Sequence, residues 1–244
     1  MPRRVRPKAN PGPQLAKGLK SWSYSTYNMW SQCPRRIYYA KIEKRPDPLG
    51  AAAQKGIKVH AMAEHFIKGE IDRFPEKGVG KALNAWVEDL TRLRESPTAK
   101  SELDFTFTED WQQTHWRDWD NAWVRMKIDA FDRPEKDTVV VIDFKTGRRR
   151  DYDKQLELYA LASFKAYPQV ERAVAEIWYI DEGAIGAPDA VDGIEFTKDE
   201  EPELQAKWDE RAGKLMADTE FRATGQGCDW CPFSNRKGGP CERG

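Results

Sequence analysis

An α/β fold with a mixed central β-sheet flanked by helices is predicted by three observations. Residues 50–96 carry helical periodicity, residues 102–145 hold three strand-like runs, and residues 152–180 read as a helix and then a strand. Short turns between strands give antiparallel pairing, whereas a helix between two strands is the crossover that parallel pairing needs, so the sheet is mixed. The 244 residues suffice to bury a core without disulfides. The sequence divides into a flexible basic arm over 1–20 and a single domain over 21–244. Within that domain, 21–97 is the helical part, 98–199 the sheet core, and 200–244 a helix with a C-terminal cysteine region.

The arm holds four prolines and the basic run "PRRVRPK". In "SWSYSTYNMWSQCPRRIYYAKI", Ser23 or Ser25 is placed to cap a short helix with Tyr27 and Trp30 on its inner face. Pro34 suits the first turn of a following helix, which puts Cys33 at a helix junction. "GAAAQKGIKVHAMAEHFIKG" is helical, with Ile57, His60, Glu64 and Ile67 on one face by spacing. A second helix is expected over 79–96, with Leu83, Trp86, Leu90 and Leu93 as its stripe. "ELDFTFTED" alternates as a strand does. "AWVRMKIDAFD" and "DTVVVIDFK" are two further strands, joined by a turn containing "RPEK". The helix over 152–166 shows one apolar face of Leu156, Tyr159, Ala160 and Phe164, and a strand follows at 172–180. A polar helix over 200–223 leads to the cysteines.

Composition restricts the function classes. Lys+Arg and Asp+Glu are 40 each, so affinity for phosphates must come from local patches such as "GRRR" at 147–150. No apolar run approaches the ~20 residues of a membrane span, and the basic N-terminus has no secretory apolar region. A reducing cytoplasm is the expected setting, where four cysteines read as metal or cluster ligands rather than disulfides. Ten tryptophans call for an ordered core or stacking surfaces. Trp111, Trp116 and Trp119 are candidates to stack on unpaired bases, with core packing as the alternative. No G-x-x-x-x-G-K-[ST] is present, so no fused motor of that kind is expected in this sequence.

The chemistry concentrates in "VVIDFKTGR". Residues two apart in a strand share a face, so Val139, Val141, Asp143 and Lys145 point one way and Val140, Ile142 and Phe144 the other. The second face is core, and the first begins apolar and emerges charged. Alone, D-x-K reads as a salt bridge at a strand end. Asp129 in "MKIDAFD" gives a second carboxylate at an equivalent exit, and His60 and Glu64 share a helical face. This set suits metal-assisted phosphodiester hydrolysis. Asp129 and Asp143 offer hard oxygens for Mg²⁺ or Mn²⁺, His60 adds a nitrogen that favours Mn²⁺, and the Phe144 carbonyl is a further donor. Lys145 would orient water or stabilise developing charge.

The order "KID…VIDFKTG…QLELY" resembles the PD-(D/E)xK nuclease superfamily, in particular its RecB-like branch. The resemblance implies a restriction-endonuclease-like core and carries metal-site roles to His60, Asp129, Asp143 and Lys145. It also implies that Gln155 and Tyr159, one helical turn apart, hold substrate or site geometry; ordinary helix packing is the alternative. One departure is Met126, where the family often has glycine, which would crowd the cleft. The tail "GCDWCPFSNRKGGPCERG" holds Cys228, Cys231 and Cys241, and Cys33 is the fourth cysteine. Four thiolates suit a [4Fe–4S] cluster or zinc. The one-plus-three split, with "QCP" and "CDWCPF", resembles the iron–sulfur nucleases of that branch. The resemblance implies a metal-dependent DNA exonuclease acting on ends or single strands, of a stand-alone phage type, with a recombination or replication protein as partner. A CRISPR-adaptation-type nuclease and a non-catalytic DNA-binding iron–sulfur subunit are the alternatives. Arg148, Arg149 and Arg150 become candidates for gripping the DNA backbone.

Overall fold

The structure is a computed structural model that describes residues 18–186 and 193–243. Most of the basic arm predicted over 1–20, with its "PRRVRPK" run, lies outside the described residues. By its internal contacts the chain forms two compact units. Among the described residues, one takes 18–20, 25–47 and 214–243; the other takes 21–24, 48–186 and 193–213. Residues 21–97, predicted as one helical part, therefore contribute to both.

The larger unit is built on a six-stranded sheet. Strands β1 (Lys100–Phe107), β2 (Val124–Glu135) and β3 (Thr138–Lys145) form an antiparallel meander. Helix α6 (Asp153–Ala166) then returns the chain so that β4 (Arg172–Tyr179) runs parallel to β3. Two short strands, β5 (Ala184–Ile185) and β6 (Ile194–Thr197), pair antiparallel with β4 at different heights. The predicted mixed sheet is thus observed, mostly antiparallel with one helical crossover. Both β5 and β6 were missed, because two to four residues carry too little alternation to register as strands.

Strand β3 is central and is buried on both faces from Thr138 to Phe144, with only Val140 half-buried. The predicted emergence of one charged face is corrected here: Asp143 is 4% exposed and Asp129 is 8% exposed. Burial on both faces is what a strand with a parallel neighbour and covering helices shows, and it explains the unbroken "VVVI" run. Asp129 also lies within β2 rather than at its end, because "RPE" extends that strand and the turn is confined to Lys136 and Asp137.

Helix α3 (Ala51–Ile67) buries Val59, Ala63, Phe66 and Ile67. The predicted face is rotated, since Ile57 is 56% exposed. Its partners are α4 (Val79–Leu83) and α5 (Val87–Glu95), which a 3-10 turn at Asn84–Trp86 separates, so the single helix predicted over 79–96 is broken. The predicted stripe survives the break: Leu83, Trp86, Leu90 and Leu93 join Phe66, Ile142, Phe144 and Trp178 in one apolar cluster. Helix α6 is buried nearly all round, which accounts for apolar residues beyond its predicted stripe. Helix α7 (Glu201–Ala217) ends earlier than the expected 223, and its Trp208 stacks on Trp22 at 5.4 Å.

In the smaller unit, α1 (Tyr24–Gln32) and α2 (Pro34–Ile37) meet at Cys33, the predicted junction, with Pro34 in the first turn of α2. Tyr39, Phe233 and Cys241 form its apolar centre. Its C-terminal loop requires glycine at 239, where a Cβ would lie 2.3 Å from the Phe233 carbonyl carbon.

Candidate active site

Strands β2 and β3 are paired as far as Ala130 and Ile142, and there the ladder stops. Beyond it the Phe144 N–H donates to Asp129 Oδ2 at 2.7 Å. The carboxylate takes the place of a backbone acceptor in a buried position that would otherwise leave a donor unpaired. The other oxygen, Oδ1, lies 3.0 Å from His60 Nδ1 of α3. Burial and the nearby Asp143 raise the Asp129 carboxyl above the usual range, against the opposing pull of His60. Burial lowers the His60 imidazole, but the hydrogen bond and charge of Asp129 outweigh it and the net shift is upward.

Asp143 is held from α6. Its Oδ1 accepts from Gln155 Nε2 at 2.6 Å and from the Tyr159 hydroxyl at 3.1 Å. Gln155 also donates to the Tyr159 oxygen at 2.7 Å, and the hydroxyl lies 3.3 Å from the Lys127 carbonyl. Burial, then the charge of Asp143, lifts the Tyr159 phenol well above its ordinary value, so it remains a donor. The four-residue spacing seen in the sequence therefore converges on one carboxylate oxygen. Asp143 Oδ2 is buried without a hydrogen bond and lies in ion-pair contact with Lys145 Nζ. Burial lowers the Lys145 ammonium, but Asp143 outweighs it and the net shift is upward. Lys145 is thus a cation rather than a base. Its Nζ sits 4.9 Å from the centre of the Tyr152 ring, a neighbour that sequence reasoning did not identify.

Glu102 was also missed. Ser101 pairs with Ala130 and Leu103 with Ile128, so Glu102 lies across from Asp129. Among the described residues, ligand atoms of His60, Glu102 and Asp129 all lie within 4.8 Å of one another. Glu102 also pairs with Lys127 at 3.2 Å. Its backbone is left-handed, φ 53°, which costs a non-glycine residue on the order of 1–3 kcal/mol and is characteristic of functional positions. The one signal available beforehand was register: in an antiparallel meander, "SEL" faces "IDA". The tight group therefore differs from the predicted set by containing Glu102 and leaving Asp143 just outside it. A nitrogen, several hard oxygens and a buried carboxylate oxygen without a hydrogen bond fit a hard divalent cation.

Other predicted residues separate. Met126 is buried and alternates with Asp129 along β2, so it packs away from the carboxylate and the expected crowding is absent. Phe144 contributes its N–H to Asp129, and its ring is core. Arg148 and Arg150 are exposed, whereas Arg149 pairs with Glu182 at 3.3 Å. Trp111 is buried and donates to Asp209 at 2.8 Å, so it takes the core alternative. Trp116 and Trp119 are exposed.

In the smaller unit Cys33, Cys228, Cys231 and Cys241 line one cavity with Arg35, Arg36 and Arg243. Sequence positions nearly 200 residues apart are thus brought together. Burial raises the Cys241 thiol above its ordinary value.

The chain matches the model of the PD-(D/E)XK nuclease superfamily over residues 21–236. No curated protein matches it. Among solved structures, it is similar to the crystal structure of SSO0001, at 17% identity and a TM-score of 0.40, over 88% of this chain and 84% of that one. It is also similar to a protein from Eubacterium rectale that carries the name of an exonuclease, at 11% identity and a TM-score of 0.46, over 80% of each chain. The family match spans the helix bearing His60, the strands bearing Asp129, Asp143 and Lys145, and the helix bearing Gln155 and Tyr159, and the chain belongs to the PD-(D/E)XK nuclease superfamily.

Proposed function

We propose that this chain is a Mg²⁺- or Mn²⁺-dependent DNA exonuclease that processes ends in recombination or degradation and carries a [4Fe–4S] cluster in its smaller unit. The observation that carries the catalytic part is the opening of the β2–β3 ladder, where Asp129 and Asp143 are buried beside His60, Glu102 and Lys145. His60, Glu102, Asp129 and Asp143, with the Phe144 carbonyl, would hold the cation. When bound, the cation supplies a lowered water pKa and neutralises charge on the phosphate.

The protein's own residues do the rest. Gln155 and Tyr159 fix the rotamer of Asp143 by holding one oxygen, and the other, in ion-pair contact with Lys145, is the one that would meet a cation. Lys145, kept protonated, stabilises negative charge that develops on the phosphate oxygens. Arg148 and Arg150 stand exposed just past the end of β3 and suit phosphate contacts on the incoming strand.

The cluster assignment rests on the four cysteines sharing one cavity, and on their spacing. The division of the cysteines into one near residue 33 and three in the tail is what supports a cluster over a single zinc ion.

End-labelled DNA incubated with purified, cluster-loaded protein and Mn²⁺ tests the enzyme. Mononucleotides or short oligomers released from an end are expected, with none in EDTA and none from Asp143→Ala. Internal fragments would replace exonuclease by endonuclease action. If the loaded parent degrades nothing, or Asp143→Ala degrades as well as the parent, the enzyme is refuted in favour of a DNA-binding subunit. Iron analysis and a brown colour check the cluster; stoichiometric zinc in a colourless protein would replace it.

A further inference from the structure

We infer that Trp119 and Trp116 form a base-stacking platform that feeds unpaired DNA toward the carboxylates, making single-stranded DNA the preferred substrate; this rests on the nuclease reading of the adjacent site. Trp119 is 69% exposed and Trp116 is 36% exposed, in a chain whose other tryptophans are mostly core. Exposing a large aromatic surface to water is unfavourable, and indole is also the side chain best suited to stack on any base without reading its identity.

The two rings are tied to the strand that carries Asp129. The Arg125 guanidinium lies 5.0 Å from the centre of the Trp119 ring, and Lys127 Nζ lies 5.9 Å from that of Trp116. Arg125, Lys127 and Asp129 share one side of β2, alternating with buried Val124, Met126 and Ile128. At roughly 3.4 Å per residue, the path from Arg125 to Asp129 is about 14 Å long. It runs from Trp119 past Trp116 to the group formed by His60, Glu102 and Asp129.

The loop is held in place before any strand arrives. Arg125 donates to the Trp116 carbonyl at 3.0 Å, the Asp118 carbonyl at 3.0 Å and the Ser21 hydroxyl at 2.6 Å. None of these acceptors is charged, so the guanidinium keeps its charge for a phosphate. Asp118 closes the turn by accepting from the Thr114 hydroxyl at 2.6 Å and the Asn121 N–H at 3.0 Å. A preformed aromatic pair beside a cation loses little entropy on binding. The pairing of aromatic faces with cations matches single-stranded nucleic acid rather than duplex, whose bases are already stacked on one another.

The test measures binding in EDTA, where cleavage does not interfere, using fluorescein-labelled oligo-dT, a blunt duplex and an abasic single strand. Trp119→Ala is expected to weaken oligo-dT binding by about five- to a hundred-fold, the range for losing one base–aromatic stack. Trp119→Phe should restore most of it, Trp116→Ala should act in the same direction, and duplex and abasic affinities should change less than twofold. Equal losses on all three probes, or no loss on oligo-dT, would overturn the platform. Melting temperature confirms that the exposed-site variants remain folded. A protein that binds oligo-dT through Trp119 yet cleaves nothing would sink the nuclease reading and leave the platform standing.

Discussion

Replacing Gln155 by leucine separates a role in the metal site from ordinary helix packing. Gln155 is buried, and its amide donates to Asp143 Oδ1 at 2.6 Å and to Tyr159 at 2.7 Å. Leucine preserves most of the volume and removes both bonds. A hydrogen bond to a charged acceptor contributes about 1.5–3 kcal/mol, and Asp143 Oδ1 retains its bond from Tyr159, so a loss of roughly 2 kcal/mol is expected. For a chain of this size that corresponds to a fall in Tm of about 4–8 °C. The functional effect is the discriminating one. A carboxylate released from its orienting partner binds a cation more weakly, and loss of such a partner costs about 10–100-fold in affinity or activity. The assay is nuclease activity titrated with Mn²⁺ alongside thermal unfolding. The half-saturating Mn²⁺ concentration should rise by that factor, with most of the maximal rate recovered at high Mn²⁺. A lowered Tm with an unchanged Mn²⁺ dependence would refute the orienting role and leave Gln155 as a packing residue.

Asp129→Asn and Asp129→Ala should both abolish cleavage, but differ in stability. The amide oxygen of asparagine can still accept from the Phe144 N–H, whereas alanine leaves that buried donor unpaired at an added cost of about 1–3 kcal/mol, measurable by urea unfolding. Glu102→Gln should raise the Mn²⁺ requirement while leaving the fold intact, and an unchanged requirement would remove Glu102 from the ligand set. Burial raises the Glu201 carboxyl, but Lys165 at 2.7 Å and Lys198 at 2.5 Å outweigh it and lower it below 4.5. Its stabilising contribution is therefore complete above pH 4.5 and lost as pH falls through the lowered folded value. The stability gap between the parent and Glu201→Gln should accordingly shrink on acidification. Gly239→Ala should expose the C-terminal loop to protease, because its Cβ meets the Phe233 backbone, and should lower the iron content that the proposed cluster predicts.

The residues legible in the sequence were those fixed by local period. Alternation placed Asp143 and Lys145 on one side of a strand, and their ion pair confirms it. Helical spacing placed Gln155 and Tyr159 together, and both reach Asp143. What was not legible depends on partners distant in the chain. Ile57 fits the apolar spacing of α3, yet packing turned the helix toward Val59 and Ala63 and left Ile57 in water. The 79–96 stripe gave the buried residues correctly but not the 3-10 turn between them, since both geometries keep i, i+3 neighbours on one side. Glu102 was not singled out within the alternating "ELDFTFTED". Its candidacy arises from register with Asp129 and from a left-handed backbone, and neither is a property of "SELDF" alone.

The burial of the charges has a structural cause. A sheet interior normally satisfies its N–H groups by strand pairing, and β3 gives this up on its β2 side after Ile142 while it stays paired with β4 to Lys145. Asp129 repairs the loss with one oxygen and keeps the other for His60, so the carboxylate is fixed by the fold before it serves any ligand. Asp143 is fixed in the same manner from the opposite direction, with one oxygen held by α6 and the other turned to Lys145. Each carboxylate therefore divides its two oxygens between architecture and chemistry. Burial, and then the charge of Asp143, raises the Asp129 carboxyl, and the hydrogen bond and charge of His60 offset that rise only in part. A divalent cation at the proposed site would relieve what remains, so the same packing that makes the site costly to fold would favour bound positive charge.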